Sequence, residues 1–240
     1  MGFVISRDFT MITKPVTVRK DLAKVRKKPN IYIDHTEPLN LNSIDYFMFL
    51  DLEVTYILGY YDDDVFIPNI RELCMILIKR EDFFKKQINM NTLNIYEYKN
   101  LNRHKDYIQK FMNTYKIYNK PLLIAHNGLC FDFLILQAHV SRYLNLKDDK
   151  IIKECKCYDS LIAIRQLKRN LHVQTKLKEQ LNCLENSQLF LAFIEYYKEY
   201  TDLAENAHTA IADTKMLILW LFAIKRYISW TSYSKIKMIL

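Results

Sequence analysis

The stretch IDYFMFLDLEVTYILGYY, residues 44–61, constrains the fold of this chain more tightly than any other segment. Phe47, Met48, Phe49 and Leu50 run without interruption, as in a strand buried on both faces. The run then meets Asp51 and Glu53, with Leu52 between them. Side chains alternate along a strand, so the two carboxylates share a face and lie close together. Like charges at that spacing repel, and an apolar strand end solvates them poorly. Either this strand end is exposed, or something positive sits between the acids.

From Ile44 onward the pattern is α/β. Apolar or alternating runs at 45–54, 71–79, 93–98, 121–126 and 155–160 predict strands. Amphipathic segments at 104–116, 131–145, 160–170, about 174–200 and 208–229 predict helices. Three early strands with no helix between them predict an antiparallel meander, and the later alternation with helices predicts parallel pairing. The chain divides into a basic N-terminal extension (1–43), one domain (44–229) and a short C-terminal tail (230–240). In the extension, Arg19, Lys20, Lys24, Arg26, Lys27 and Lys28 precede Pro29. The plain reading is a solvated segment; the sharper ones are an electrostatic hold on nucleic acid or a nuclear import signal. On the nucleic-acid reading, neutralising these six charges is expected to weaken nucleic-acid binding and flatten its salt dependence. Each lost phosphate contact removes about 0.7 from the slope for single strands. A salt titration of binding checks this, and an unchanged slope assigns the segment to targeting or disorder.

Two further acids stand in apolar surroundings. The strand Leu122–Ala125 ends at the turn His126-Asn127-Gly128, and Asp132 follows in the first turn of the next helix. An acid in a first turn is mildly stabilising through the helix dipole, and Asp132 taken alone reads that way. In HTAIAD, His208 stands at the entry of the last helix and Asp213 inside it, among Ala212, Met216, Leu217 and Trp220. A lone acid on so apolar a helix needs solvent or a partner. If Asp51, Glu53, Asp132 and Asp213 converge, they form an oxygen-rich, negative pocket on a chain of net charge +8. Hard divalent cations take such a ligand set, and a metal pair would answer the question that Asp51 and Glu53 raise.

These motifs also resemble a family. FLDLEVT, AHNGLCFD and HTAIAD are similar, in order, to the three exonuclease motifs of the DEDDh group in the DnaQ-like, RNase T superfamily. RELCMILIKR, LLIAHNGLCFDFLILQAHV, CYDSLIAIRQLKR and HTAIADTKMLIL resemble segments of the TREX family within it, so that the resemblance covers residues 45 to 228. It implies an RNase H-like fold with a mixed five-stranded sheet flanked by helices. It implies a 3′→5′ DNA exonuclease releasing 5′-mononucleotides, with Asp51, Glu53, Asp132 and Asp213 holding two Mg²⁺ ions (Mn²⁺ substituting) and His208 as general base. It further implies nucleotide contacts at Leu52, Ile57, His126 and Phe131, single-stranded DNA or 3′ overhangs as partner, and a homodimer. The heavy use of Lys, Ile, Asn and Tyr fits a viral or invertebrate member. The chain departs from the TREX pattern at Tyr56 after Thr55, at Ile57, and at Leu129-Cys130 before Phe131. These departures leave the acids intact and bear on substrate preference. An RNA-trimming DEDDh nuclease is the alternative enzyme, and a catalytically silent nucleic-acid-binding module the alternative of another class. His208 reads alternatively as a capping residue at the helix entry.

The remaining composition bounds the setting. Half of the 240 residues are hydrophobic and 13% aromatic, which excludes global disorder. The positive balance favours a polyanionic partner. No run reaches the roughly 20 apolar residues of a membrane span, and the N-terminus lacks the apolar stretch of a signal peptide. The cysteines Cys74, Cys130, Cys155, Cys157 and Cys183 are odd in number and carry no zinc-ligand spacing. An intracellular protein of the cytoplasm or nucleus is expected.

Overall fold

The apolar run at Phe47–Leu50 forms the centre of strand β2 (Tyr46–Asp62), around which the rest of the sheet assembles. The computed structural model describes residues 30–62, 65–85, 88–99, 104–143, 155–169, 203, 206–225 and 231–239. The basic cluster Arg19–Lys28, the helix expected at 174–200 and Cys183 lie outside the described residues. The other strands are β1 (Asn30–Pro38), β3 (Val65–Lys79), β4 (Asn94–Lys99), β5 (Leu122–Ala125), β6 (Cys157–Asp159) and β7 (Thr231–Ile239). The helices are α1 (Arg80–Phe84), α2 (His104–Ile117), α3 (Asp132–Tyr143), α4 (Ser160–Arg169) and α5 (Ala210–Ile224).

One seven-stranded sheet has the order β1-β7-β6-β5-β2-β3-β4. Its inner five strands are the expected mixed set. β2, β3 and β4 form an antiparallel meander, while β5 and β6 run parallel to β2. This is the RNase H-like arrangement, with β3 alone reversed among the five. β1 and β7 pair with each other antiparallel, and β7 meets β6 at Cys157↔Tyr233. The β2–β3 hairpin also runs beyond residue 54, where the sequence pattern ends; register shifts at Glu53/Val54 and Thr55/Gly59 interrupt the ladder as it continues.

The two faces of β2 feed two cores. Phe47 and Phe49 pack with Phe83, Ile124, Met216, Trp220 and Ile224 on the side of α5. Met48, Leu50 and Leu52 pack with Phe111, Leu136 and Val140 on the side of α2 and α3. Phe47 meets Phe83 edge-on at 5.3 Å between ring centroids, and burying each such ring contributes about 1.5–3 kcal/mol. At the far end of α5, the Lys225 ammonium donates to the carbonyls of Phe83 (2.7 Å) and Lys85 (3.2 Å). It also lies 3.4 Å from the centroid of the Phe222 ring, so a buried cation ties α5 to α1.

The loop between β5 and α3 depends on Gly128. A Cβ there would meet the Ala125 Cβ at 2.6 Å and the Phe133 ring at 2.7 Å. The Gly128 carbonyl accepts the N–H groups of Phe131 and Phe133, so this close approach sets where α3 begins. Gly128→Ala is expected to destabilise the fold by about 1–3 kcal/mol in urea unfolding, as overpacked sites do. An unchanged midpoint would show that the loop yields freely.

Candidate metal centre

The alternation along β2 decides what the acids meet. Asp51 and Glu53 continue the Phe47–Phe49 face, which is the face covered by α5. Asp213 projects from the first turn of α5. Asp51, Glu53 and Asp213 each present a carboxylate oxygen, and these oxygens all lie within 4.8 Å of one another. A register shift directly after Glu53 marks a β-bulge, a feature that re-aims side chains beside sites.

Asp132 approaches from the other face, though it is not one of the three residues whose carboxylate oxygens lie within 4.8 Å of one another. It is the first residue of α3, is 2% exposed, and accepts the Leu52 N–H at 2.9 Å. One of its oxygens is thereby committed to the backbone of β2 between the two acids. Its charge is the largest electrostatic influence on Asp51. Asp51 Oδ2 is buried and has no hydrogen-bond partner, a costly state for a carboxylate oxygen that nothing accompanies.

Burial and mutual repulsion raise all four groups. Desolvation, with Asp132, Asp213, Glu53 and Glu72 adding to it, holds Asp51 well above the usual carboxylate range. Burial lifts Glu53 to about 7, with Asp213 adding and Arg71 opposing. Burial lifts Asp132 to about 8 against the Leu52 hydrogen bond, and Asp213 to about 6 against the His208 N–H. A cation among these groups would offset their mutual repulsion and the cost of burying their charges, and oxygen donors suit a hard divalent ion. The residues fit such an ion.

A stability test follows from these directions. Folded-state values raised above unfolded ones mean that the folded chain holds protons the unfolded chain has already lost. Stability from these groups is therefore full at low pH and is lost as pH rises through the folded values. His126 works oppositely below pH 6.5: burial lowers it to about 4, so its contribution is lost as pH falls from there. Between about pH 6.5 and 8.5 the acids alone of these groups titrate, and the melting temperature in EDTA is expected to fall. Saturating Mg²⁺ is expected to remove most of that fall. Equal slopes with and without Mg²⁺ would contradict the fit.

His208 stands in the turn before α5 with φ 68°, a left-handed conformation unusual for a side-chain-bearing residue. Its N–H donates to Asp213 Oδ1 at 3.3 Å and its side chain is exposed. The reversal at His208 thus aims its own N–H at the acid, and the Thr209 hydroxyl caps α5 by accepting from Ala212 N at 3.4 Å.

The residues expected to touch a nucleotide are placed unequally. Phe131 is partly buried beside Asp132. His126 directly follows β5, with Nδ1 2.8 Å from the Ser160 hydroxyl and Nε2 buried without a partner. The Leu52 side chain is 3% exposed and belongs to the α2–α3 core, so what β2 offers there is its backbone. The side chain of Ile57 lies outside the described residues.

Two residues escaped the sequence reading. Glu72 lies directly opposite Glu53 in the β2–β3 register and 3.4 Å from Arg71, which also approaches Glu53 at 3.7 Å. Asp159, 1% exposed at the end of β6, accepts the N–H groups of Asn127, Leu129 and Leu161 at 2.9–3.1 Å and so anchors the β5–α3 loop. An acid inside the apolar run RELCMILIK was the available signal for Glu72.

No protein-family model matches the chain, and no curated protein matches it. Among solved structures it is similar to the zinc-bound form of the E. coli ExoI–ssDNA complex, with 12% identity and a TM-score of 0.48. The alignment covers 77% of this chain and 41% of the ExoI chain. Among the described residues, no helix is long and apolar enough to cross a membrane.

Proposed function

We propose that this chain is a divalent-metal-dependent 3′→5′ exonuclease of the DEDDh, TREX-like kind. It would release 5′-mononucleotides from single-stranded DNA or 3′ overhangs. The observation that carries the reading is the convergence of Asp51, Glu53 and Asp213 within 4.8 Å, in company with a buried, unpartnered Asp51 oxygen. Asp51, Glu53, Asp132 and Asp213 would hold two Mg²⁺ ions, with Mn²⁺ as substitute. Bound there, they would supply charge to activate a water as nucleophile and to stabilise the leaving 3′-oxygen.

The chain's own residues supply the rest. His208 takes the proton of the attacking water on its imidazole. Its exposed place at the entry of α5 lets it approach once a strand end is seated. Asp132, by holding the Leu52 N–H, keeps the end of β2 in register with α3. Phe131 and Ile57 flank the terminal nucleotide in this reading, and His126 lines the same loop.

The test is incubation of the chain with end-labelled single-stranded DNA and RNA, in Mg²⁺ or EDTA. Mononucleotides from DNA alone, and only with Mg²⁺, are the expected products. Release from RNA alone would transfer the chain to the RNA-trimming nucleases. No metal-dependent release from either would favour the silent binding module.

A further inference from the structure

We infer that Glu72 is a positioning residue, which fixes the first turn of α5 so that Asp213 closes the metal centre against β2. The inference rests on the metal-centre reading above. Both oxygens of Glu72 are committed. Oε1 lies 3.4 Å from Arg71, and Oε2 accepts the Ala210 N–H at 3.2 Å. Ala210 is the first residue of α5, and its N–H is one of the donors that a helix start leaves without an intrahelical acceptor. Glu72 therefore caps α5 from a strand 138 residues away, supplementing the local Thr209 cap. Asp213 lies on the same turn, and its N–H is bound to the Thr209 carbonyl at 3.0 Å. Its carboxylate is consequently located by where that turn sits over β2 and β3.

The commitments of Glu72 also separate it from the ligands. Asp51 has a buried oxygen with no partner, whereas each Glu72 oxygen already has one. Its charge is unhelpful to a metal-free chain, since it faces Glu53 directly across the ladder, and opposed like charges destabilise a sheet. A residue kept there in spite of its charge is explained by reach and hydrogen bonding. Arg71 holds one oxygen of the carboxylate, leaving the other turned toward α5.

Two conservative variants separate reach from charge, and both preserve the fold's polar contacts better than alanine would. Glu72→Gln keeps an acceptor long enough to take the Ala210 N–H but loses the charge. Glu72→Asp keeps the charge but is one methylene too short to serve Arg71 and Ala210 together. Mn²⁺ affinity, measured by calorimetry on the full chain without nucleic acid, is expected to stay near wild type in Glu72→Gln. In Glu72→Asp it is expected to fall by about tenfold or more, as for residues that orient metal ligands. Loss in the Gln variant alone, equal loss in both, or loss in neither would overturn the inference. Absence of Mn²⁺ binding in the wild type would instead overturn the metal-centre reading on which it rests.

Discussion

Asp51→Asn is expected to abolish phosphodiester hydrolysis while leaving the metal-free protein at least as stable as wild type. The two halves have one cause. In the proposed centre Asp51 would contribute charge to a cation, and no packing that an amide of equal size would lose. In the metal-free chain its carboxylate is held well above the usual range by burial and by Asp132, Asp213, Glu53 and Glu72. At about pH 8 that strain opposes folding, and removing one of the charges relieves it. The melting temperature in EDTA should therefore hold or rise, while the stabilisation conferred by Mg²⁺ should largely disappear. Hydrolysis of labelled DNA and melting in EDTA, measured on the same preparation, check both halves. A clear drop in melting temperature would make Asp51 a structural residue.

His208→Ala should lose roughly 10²–10⁴-fold in rate, the usual contribution of a general base. Metal and DNA binding should persist, because the imidazole is exposed and the Asp213 contact is made by the His208 backbone, which alanine retains. Melting measured alongside the rate separates this role from helix capping, which would change stability and leave the rate near wild type. Wild-type rates would remove His208 from the mechanism, and Tyr56 would be examined next as the base.

What the sequence disclosed depended on whether the signal was local. The apolar run before Asp51, the turn at His126–Gly128 and the apolar helix carrying Asp213 each write their structure in adjacent residues, and β2, β5, α3 and α5 appear where the patterns place them. The antiparallel meander and the parallel pairing of the later strands followed from where long helical patterns fall between strands. The pairing of β1 with β7 joins segments nearly a chain length apart, and strand pairing at that separation has no period to read. The hairpin beyond residue 54 was hidden because the ladder shifts register at Glu53 and again at Thr55, which breaks the alternation that marks a strand.

The acids divide in the same way. Asp51 and Glu53 stood out because an apolar strand cannot accommodate them quietly. Glu72 and Asp159 sit in similar strands, yet their partners are backbone N–H groups of remote segments, Ala210 for the one and Asn127 and Leu129 for the other. Backbone donors carry no residue type, so nothing in the sequence marks them. Asp132 is the mixed case. Its helix-start position was legible, but its hydrogen bond to Leu52, which turns a first-turn acid toward β2, is a product of the α3–sheet packing.

The central claim is that the end of β2, α3 and α5 together make a divalent metal centre. Diffraction from crystals soaked in Mn²⁺, recorded at the manganese absorption edge, tests it most directly. The account predicts anomalous density bounded by the carboxylates of Asp51, Glu53, Asp132 and Asp213, and none there in Asp51→Asn crystals soaked alike. Manganese bound elsewhere with that pocket empty, or density unchanged in the Asp51→Asn crystals, would contradict it.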